Sequence, residues 1–308
     1  MRSCILWIAI IAVVLLLAGC GATDKATAPS GDLNPFAEAK VGTDSTLEVV
    51  TWNVEQFPKN GRATVDFLVE AIEALDADIV ALQEIISVLD FRQVDTALPG
   101  YDGFRAGSAG YDINLAYLYK NSGPLTVDSI YEILIDDDAL PRHPLVMQGS
   151  FDGKPFVTIN NHYKCCGDNH LELNNDWDEE TRRYNASLDL QAYIQQHFAG
   201  QRVIMVGDFN DELTDPAENN VFENFLDDPQ EYRFADLAIA EGPSSGWSYP
   251  SWPSHLDHIL VTGPLFTALE RPDSEVRVIR LFDYLVSGWA EYDKNLSDHL
   301  PVFIRIKP

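Results

Sequence analysis

The sequence predicts an α/β protein in which two packed β-sheets are covered by helices. Three observations lead there. Short apolar, β-branched runs alternate with amphipathic helical patterns along residues 47–308. Some neighbouring runs are joined by a helical pattern, as parallel strands require, and others by turn residues, as hairpins require. The chain has 308 residues, 46 % of them hydrophobic, so it can bury a core without disulfide staples. That composition excludes collagen, coiled coil, wholesale disorder and a multi-span membrane protein.

The elements follow in order. Leu47–Trp52 is apolar and β-branched and reads as the first strand. Thr64–Leu75 carries Val65, Leu68, Val69, Ile72 and Leu75 at helical spacing. Asp78–Gln83 is a short buried strand, and Val88–Leu98 a helix stopped by Pro99 and Gly100. Strand-like runs come next at Asn114–Tyr119, Val127–Ile133, Leu145–Phe151 and Phe156–Asn161. Glu179–Phe198 is the longest helical pattern. Val203–Val206 is a buried strand, Val221–Leu226 a short helix, and His258–Val261 and Val302–Ile306 are further strands. No internal repeat is visible, so residues 47–308 read as one domain.

Residues 1–19 read as an export signal. Arg2 precedes an apolar run from Ile5 to Ala18, shorter than the ~20 residues a spanning helix needs and matching the apolar centre of a signal peptide. The run ends Leu17-Ala18-Gly19-Cys20, which resembles a bacterial lipobox, whose Cys is lipidated and becomes the mature N-terminus. Gly21 after that Cys resembles the sorting pattern of outer-membrane lipoproteins. The expectation is an exported lipoprotein of the bacterial outer membrane or cell surface, held to the membrane through its lipid anchor. Residues 20–46 are small and polar without apolar periodicity, and read as the lipidated Cys and a flexible tether. Outside that region only Cys165 and Cys166 remain, adjacent in sequence, without zinc-type spacing. They can be a strained local disulfide or two free thiols.

Charge narrows the function classes. The chain holds 21 Lys+Arg against 48 Asp+Glu, a net of −27, and loses only Arg2 from that balance when residues 1–19 are removed. Such a surface repels polyanions at long range, so loose electrostatic binding of nucleic acid is excluded as the main activity. A site that recruits divalent cations to an anionic substrate is not.

The informative residues stand where apolar strands end. Asn53 ends VVTWN and Glu84 ends IVALQE; His162 ends FVTINNH; Asp208 and Asn210 follow VIMVG. Asp257 opens a strand, and Asp298 and His299 precede the last one. A lone Asn or Asp at a strand end is usually a turn former. Together the clusters are the inventory of a metal-assisted hydrolytic site. Carboxylate and amide oxygens suit a hard ion such as Mg²⁺ or Mn²⁺, with Ca²⁺ a further candidate, and two histidines supply proton transfer near neutral pH.

TWNVEQF, LQE, NNH, GDFND, LDHIL and SDHLP, in that order, resemble the endonuclease/exonuclease/phosphatase superfamily, the deoxyribonuclease I-like fold. The resemblance spans nearly all of residues 47–308 and implies a four-layer α/β sandwich with its site at one edge of the two sheets. It implies Glu84 as principal metal ligand with Asn53 and Asp298 beside it, and Asp208 and Asn210 aligning the attacking water or a second metal. It implies His299 as general base oriented by Asp257, and His162 as the group that steadies the phosphoryl oxygens or protonates the leaving group. GYDINLAYLYK resembles the segment with a substrate-contacting Tyr, here Tyr111, and LPRHPLV the segment with a phosphate-contacting Arg, here Arg142. One position departs from the pattern. The carboxylate that supports the first His stands two residues after the Tyr; here Ile113 is there, with Asp112 one residue earlier, on the other face of a strand.

Three features lie outside that pattern. Residues 168–180 (DNHLELNNDWDEE) lack the glycine and spacing of an EF-hand loop and read as a solvated loop with an acidic first helical turn. Arg182 and Arg183 either reach a substrate phosphate or pair with neighbouring acids. Trp247, Tyr249 and Trp252 either stack a base or anchor their Pro-rich loop, the second being preferred. The expected function is a metal-dependent phosphodiesterase, a monomeric, sequence-tolerant endonuclease on DNA or RNA. The alternatives are a phosphoesterase acting on phospholipid headgroups or sugar phosphates, and a binding lipoprotein without catalysis.

Overall fold

Hydrophobic side chains occupy both faces of the predicted inner strands, so each needs cover on two sides. The structure, a computed structural model, describes residues 34–109 and 113–308 and supplies that cover. The first half runs β1 (Leu47–Phe57), α1 (Arg62–Leu75), β2 (Ile79–Ile85), α2 (Val88–Ala97), β3 (Tyr101–Arg105) and β4 (Asn114–Lys120). β5 (Leu125–Glu132), β6 (Leu145–Phe151) and β7 (Lys154–His162) form a meander that leads to α3 (Glu179–His197) and β8 (Val203–Asp208). α4 (Glu223–Leu226), β9 (Tyr232–Phe234) and α5 (Leu237–Ala240) precede β10 (Asp257–Thr262). α6 (Phe266–Leu269), β11 (Glu275–Val278), α7 (Trp289–Asn295) and β12 (Val302–Ile306) complete the order.

The strands form two six-stranded mixed sheets, β11-β12-β1-β2-β4-β3 and β5-β6-β7-β8-β10-β9. Alternation assigns each inner strand to two cores. Val49, Ile79, Ile204, Val206, Ile259 and Ile304 fill the space between the sheets. Val50, Trp52, Val80, Leu82 and Phe303 face the other way, against Leu68 and Ile72 of α1, Phe91 of α2 and Tyr292 of α7. Val157, Met205 and Leu260 meet Ala186, Leu190 and Ile194 of α3. Helix, sheet, sheet and helix are the expected four layers. α3 starts on Asp178, whose side chain accepts from Thr181 N at 2.8 Å, with Glu179 and Glu180 in the first turn. Among the described residues no helix is long and apolar enough to cross a membrane.

The tether expectation does not hold for residues 34–46. Phe36 and Val41 are fully buried, Phe36 packs edge-on to Phe67, and Val41 N donates to Leu75 O at 2.9 Å. Burying a side chain such as Phe36 contributes about 1.5–3 kcal/mol, enough to hold this stretch on α1. Its apolar residues are irregularly spaced, so no periodicity announces them. The signal-peptide span and Cys20 lie outside the described residues.

Candidate active site

Strand pairing brings the polar strand ends to one edge. β1 and β2 are parallel, so Asn53 and Glu84 stand at the same end; β12 is antiparallel to β1, with Val302 opposite Thr51, which returns Asp298 and His299 to that end. In the second sheet β7 and β8 are parallel with His162 opposite Asp208, and β10 is antiparallel to β8 with Asp257 opposite Asp208. The ends enclose a cleft of about 870 Å³.

Hydrogen bonds join the two sheets across it. Asn53 Nδ2 donates to Asp208 Oδ2 at 2.9 Å and to Glu84 Oε1 at 3.2 Å. Glu84 stands in the left-handed region at φ 63°, inside a register shift between Leu82 and Ile85. Backbone there costs a residue with a side chain about 1–3 kcal/mol, the kind of strain found at functional sites. It lets Glu84 Oε2 accept from Gln56 N at 2.8 Å. His162 Nε2 lies 3.6 Å from Asp208 Oδ2 and 3.9 Å from Glu84 Oε1. His299 Nδ1 meets Asp257 Oδ2 at 2.8 Å, so its proton is donated there, and Nε2 lies 3.8 Å from Asp208 Oδ2. Asn210 N donates to Asp208 Oδ1 at 2.9 Å. Asp298 lines the cleft, and its N–H donates to Glu55 Oε2 at 2.9 Å. Thus Asn53, Glu84, His162, Asp208, Asn210, Asp257, Asp298 and His299 are brought together. Arg142 lines the same cleft and donates from Nη1 to Tyr163 O at 3.2 Å. Tyr111 lies outside the described residues.

Electrostatics divides the two histidines. Burial holds His162 well below the usual imidazole range, and the charges of Arg142 and His299 push the same way. Its Nδ1 is buried without a partner among the described residues, in line with the missing support at Ile113. Burial also opposes a charge on His299, but the carboxylates of Asp257 and Asp208 outweigh it and raise His299 to about 10. Burial raises Asp208 to about 6. His299 is therefore the charged imidazole and His162 the neutral one, the reverse of the resting states that a base at 299 and an acid at 162 need.

The donor set fits a hard divalent cation. Glu84, Asp208 and Asp298 offer carboxylate oxygens, and Asn53 and Asn210 offer amide oxygens. Asp208, Asp257 and His299 each present a donor atom within 4.8 Å of the others. A cation there offsets the carboxylate charge that raises His299. A second group, Asp236, His255 and His258, lies as close but is saturated by its own hydrogen bonds.

Several cleft residues went unremarked in the sequence. Glu55 binds Lys59 and Asp298 N, and its place two residues after Asn53 on a strand was the available signal. Arg183 proves to be structural: its guanidinium pairs with Asp211 at 2.7 Å and Glu180 at 3.1 Å. Arg182 donates to Asp138 O. Of the three aromatics, Trp247 anchors its loop through Ile239 O, and Tyr249 packs on the His299 ring at 4.7 Å. Trp252 is 78 % exposed on the cleft rim, against the preferred anchoring role.

Residues 50–299 match the sequence pattern of the Endonuclease/Exonuclease/phosphatase family. The chain belongs to that family. Members of the endonuclease/exonuclease/phosphatase family are typically phosphoester hydrolases that use divalent metals. No curated protein matches the chain. Among solved structures, TDP2 of D. rerio in complex with a single-strand DNA product superposes with a TM-score of 0.65 at 16% identity, covering 86% of this chain and 100% of that one. The human nocturnin catalytic domain, solved with a sulfate anion, gives 0.60 at 19% identity over 86% and 96% of the two chains. A Bacteroides vulgatus member of the family gives 0.55 at 16% identity over 85% and 98%. At these identities the likeness shows the fold.

Proposed function

We propose that the protein is a divalent-metal-dependent phosphodiesterase, and that it acts as a sequence-tolerant endonuclease on DNA or RNA. The observation that carries the reading is the convergence of Glu84, Asn53 and Asp208 with the His299–Asp257 pair around one cleft. Glu84, Asn53 and Asp298 would hold Mg²⁺ or Mn²⁺, which would supply neutralisation of phosphate charge and of charge developing on its oxygens. Asp257 fixes the tautomer of His299, leaving Nε2 toward the cleft to take a proton from water once nearby carboxylate charge is offset. Asp208 and Asn210 orient that water. His162, neutral and buried, donates a hydrogen bond to a phosphoryl oxygen or the leaving group. Arg142 has no carboxylate partner among the described residues and serves as phosphate contact, while Trp252 offers an open ring for stacking a base. Tyr111 is proposed as a further substrate contact.

The test is a panel of plasmid DNA, DNA and RNA oligonucleotides, phospholipids and sugar phosphates with Mg²⁺, Mn²⁺ or Ca²⁺. Cleavage within plasmid and oligonucleotide is expected. Turnover of a small ester with no nucleic-acid cleavage assigns the site to headgroup or sugar-phosphate hydrolysis. Activity on neither leaves the binding-lipoprotein reading.

We further propose export and lipid anchoring at Cys20 of a monomeric protein. Cys20→Ala is expected to release the protein from the membrane fraction or leave it unprocessed; a mature N-terminus elsewhere than position 20 overturns the proposal.

A further inference from the structure

Cys165 and Cys166 line the cleft wall but take no part in the chemistry above. Extended chain beyond β7 would send successive side chains to opposite sides. Instead Cys166 adopts φ 72° and Gly167 φ 115°, and the two sulfurs converge to 3.1 Å. Side chains hold this turn on every carbonyl. Arg142 and Asn210 donate to Tyr163 O, Arg183 to Lys164 O at 3.0 Å and Cys166 O at 2.6 Å, and Lys164 Nζ to Cys165 O at 2.7 Å. Gly167 at φ 115° has a backbone that favours glycine, and a Cβ there would meet Glu180 Oε1 at 2.1 Å unless that side chain moved. Arg183 is itself buried between Glu180 and Asp211.

A disulfide suits this geometry poorly. The Cys165–Cys166 peptide is trans, and Cα atoms across a trans peptide are about 3.8 Å apart, below the roughly 4.4–6.8 Å of ordinary disulfides. Closing the ring needs a twisted peptide, which the gripped carbonyls on both sides oppose. Two convergent thiols that stay reduced are a chelate for a soft ion.

We propose that Cys165 and Cys166 form a bidentate dithiol site for thiophilic ions of the trivalent-arsenic class. An organoarsenous acid, R–As(OH)₂, condenses with the two thiols: two As–O and two S–H bonds break, two As–S bonds form, and two waters leave, with no electron transferred. Cys166 is exposed and Cys165 partly so, which gives the reagent access. The hydrogen bond to the Cys165 sulfur pushes the Cys166 thiol up, and replacing both protons by one ion removes that constraint. The proposal stands apart from the phosphodiesterase reading.

The probe is phenylarsine oxide, added to the full-length reduced protein and followed by intact mass and peptide mapping. One adduct is expected on the peptide holding Cys165 and Cys166, resistant to excess monothiol and removed by a dithiol. Cys165→Ser or Cys166→Ser should each weaken retention by about 10²–10⁴-fold, the usual gain from a second tethered contact. Cys4→Ser and Cys20→Ser should leave it unchanged, and circular dichroism checks that the variants fold. An adduct that survives either single substitution at 165 or 166, or that monothiol strips, overturns the proposal. So does isolation of the pair as a disulfide, lighter by two hydrogens, that takes up no arsenical.

Discussion

At the scale of single residues, the two histidines decide how the site works. His299 is pushed to about 10 by Asp257 and Asp208 against the effect of burial. A group raised in this way is charged at neutral pH and cannot accept a proton. Positive charge placed among Glu84, Asp208 and Asp298 opposes the carboxylates and lowers the His299 pKa. The expected outcome is that the imidazole signal of His299, followed by NMR, titrates near 10 without metal and moves to lower pH as Mg²⁺ is added. The acid limb of the pH–rate profile should move with it, since a base works above its pKa. A titration that ignores Mg²⁺ removes the base role from His299. His299→Ala should lower kcat by about 10²–10⁴-fold. Glu84→Gln should abolish activity at ordinary Mg²⁺ while thermal unfolding stays near wild type, because it removes charge and keeps shape. Most of these residues were legible because each is polar where an apolar strand stops. Glu55, which accepts from Asp298 N, carries no separate signal inside the TWNVEQF motif beyond its spacing from Asn53. The charge states of the histidines were not legible, since they depend on which carboxylates the fold brings near.

At the scale of elements, a buried ion pair holds β10 against the turn between β9 and α5, and a hydrogen bond ties it to the loop after β8. His258 Nδ1 meets Asp236 Oδ2 at 2.6 Å, and its Nε2 donates to Asp211 O at 3.0 Å. Both acceptors require N–H, so His258 is an imidazolium. His255 accepts from Ser248 N and donates to Asp236, so it is neutral. The charge of His258 and the hydrogen bonds of both histidines hold Asp236 far below the usual carboxylate range despite burial, and Asp236 raises His258 despite burial. The contribution of Asp236 is present above its unfolded pKa of about 3.9 and is lost as pH falls through its folded value. That of His258 is present below about 6.5 and is lost as pH rises through its folded value. Asp236→Ala should therefore cost about 3–5 kcal/mol, the usual result of breaking a buried pair, with the largest loss at about pH 4–6.5. Urea denaturation across pH 3 to 9 measures it, and a variant as stable as wild type throughout that window would show the pair to be inert. Elements buried on both sides were legible: Leu145–Phe151 and Val302–Ile306 are strands over the predicted residues. The edge strands β3, β9 and β11 are not legible, because half-exposed YDGFR and EVRV and the short YRF carry little apolar pattern.

For the whole molecule, the net charge of −27 meets a cleft with few cations to spare. Arg183 is committed to Asp211 and Glu180. Arg142 is left as the guanidinium in the cleft without a carboxylate partner among the described residues. Each phosphate neutralised by a basic side chain adds about 0.9 to the log–log slope of duplex affinity against salt. One such contact predicts a slope near −1, or about a fourfold rise in KM between roughly 50 and 200 mM salt at saturating Mg²⁺. Binding by a broad basic face would instead cost orders of magnitude over that range. Phosphate contacts carry no base information, so cleavage should tolerate sequence, with Trp252 adding affinity by stacking. Arg142→Ala should flatten the slope and raise KM alike for all sequences, whereas Trp252→Ala should raise KM by about 5–150-fold, from about 1–3 kcal/mol of stacking, and leave the slope alone. Steady-state cleavage of one oligonucleotide series at rising monovalent salt separates the two. A slope of −5 or steeper with wild-type protein would mean that substrate runs over basic residues outside this cleft, and the one-contact reading would fall.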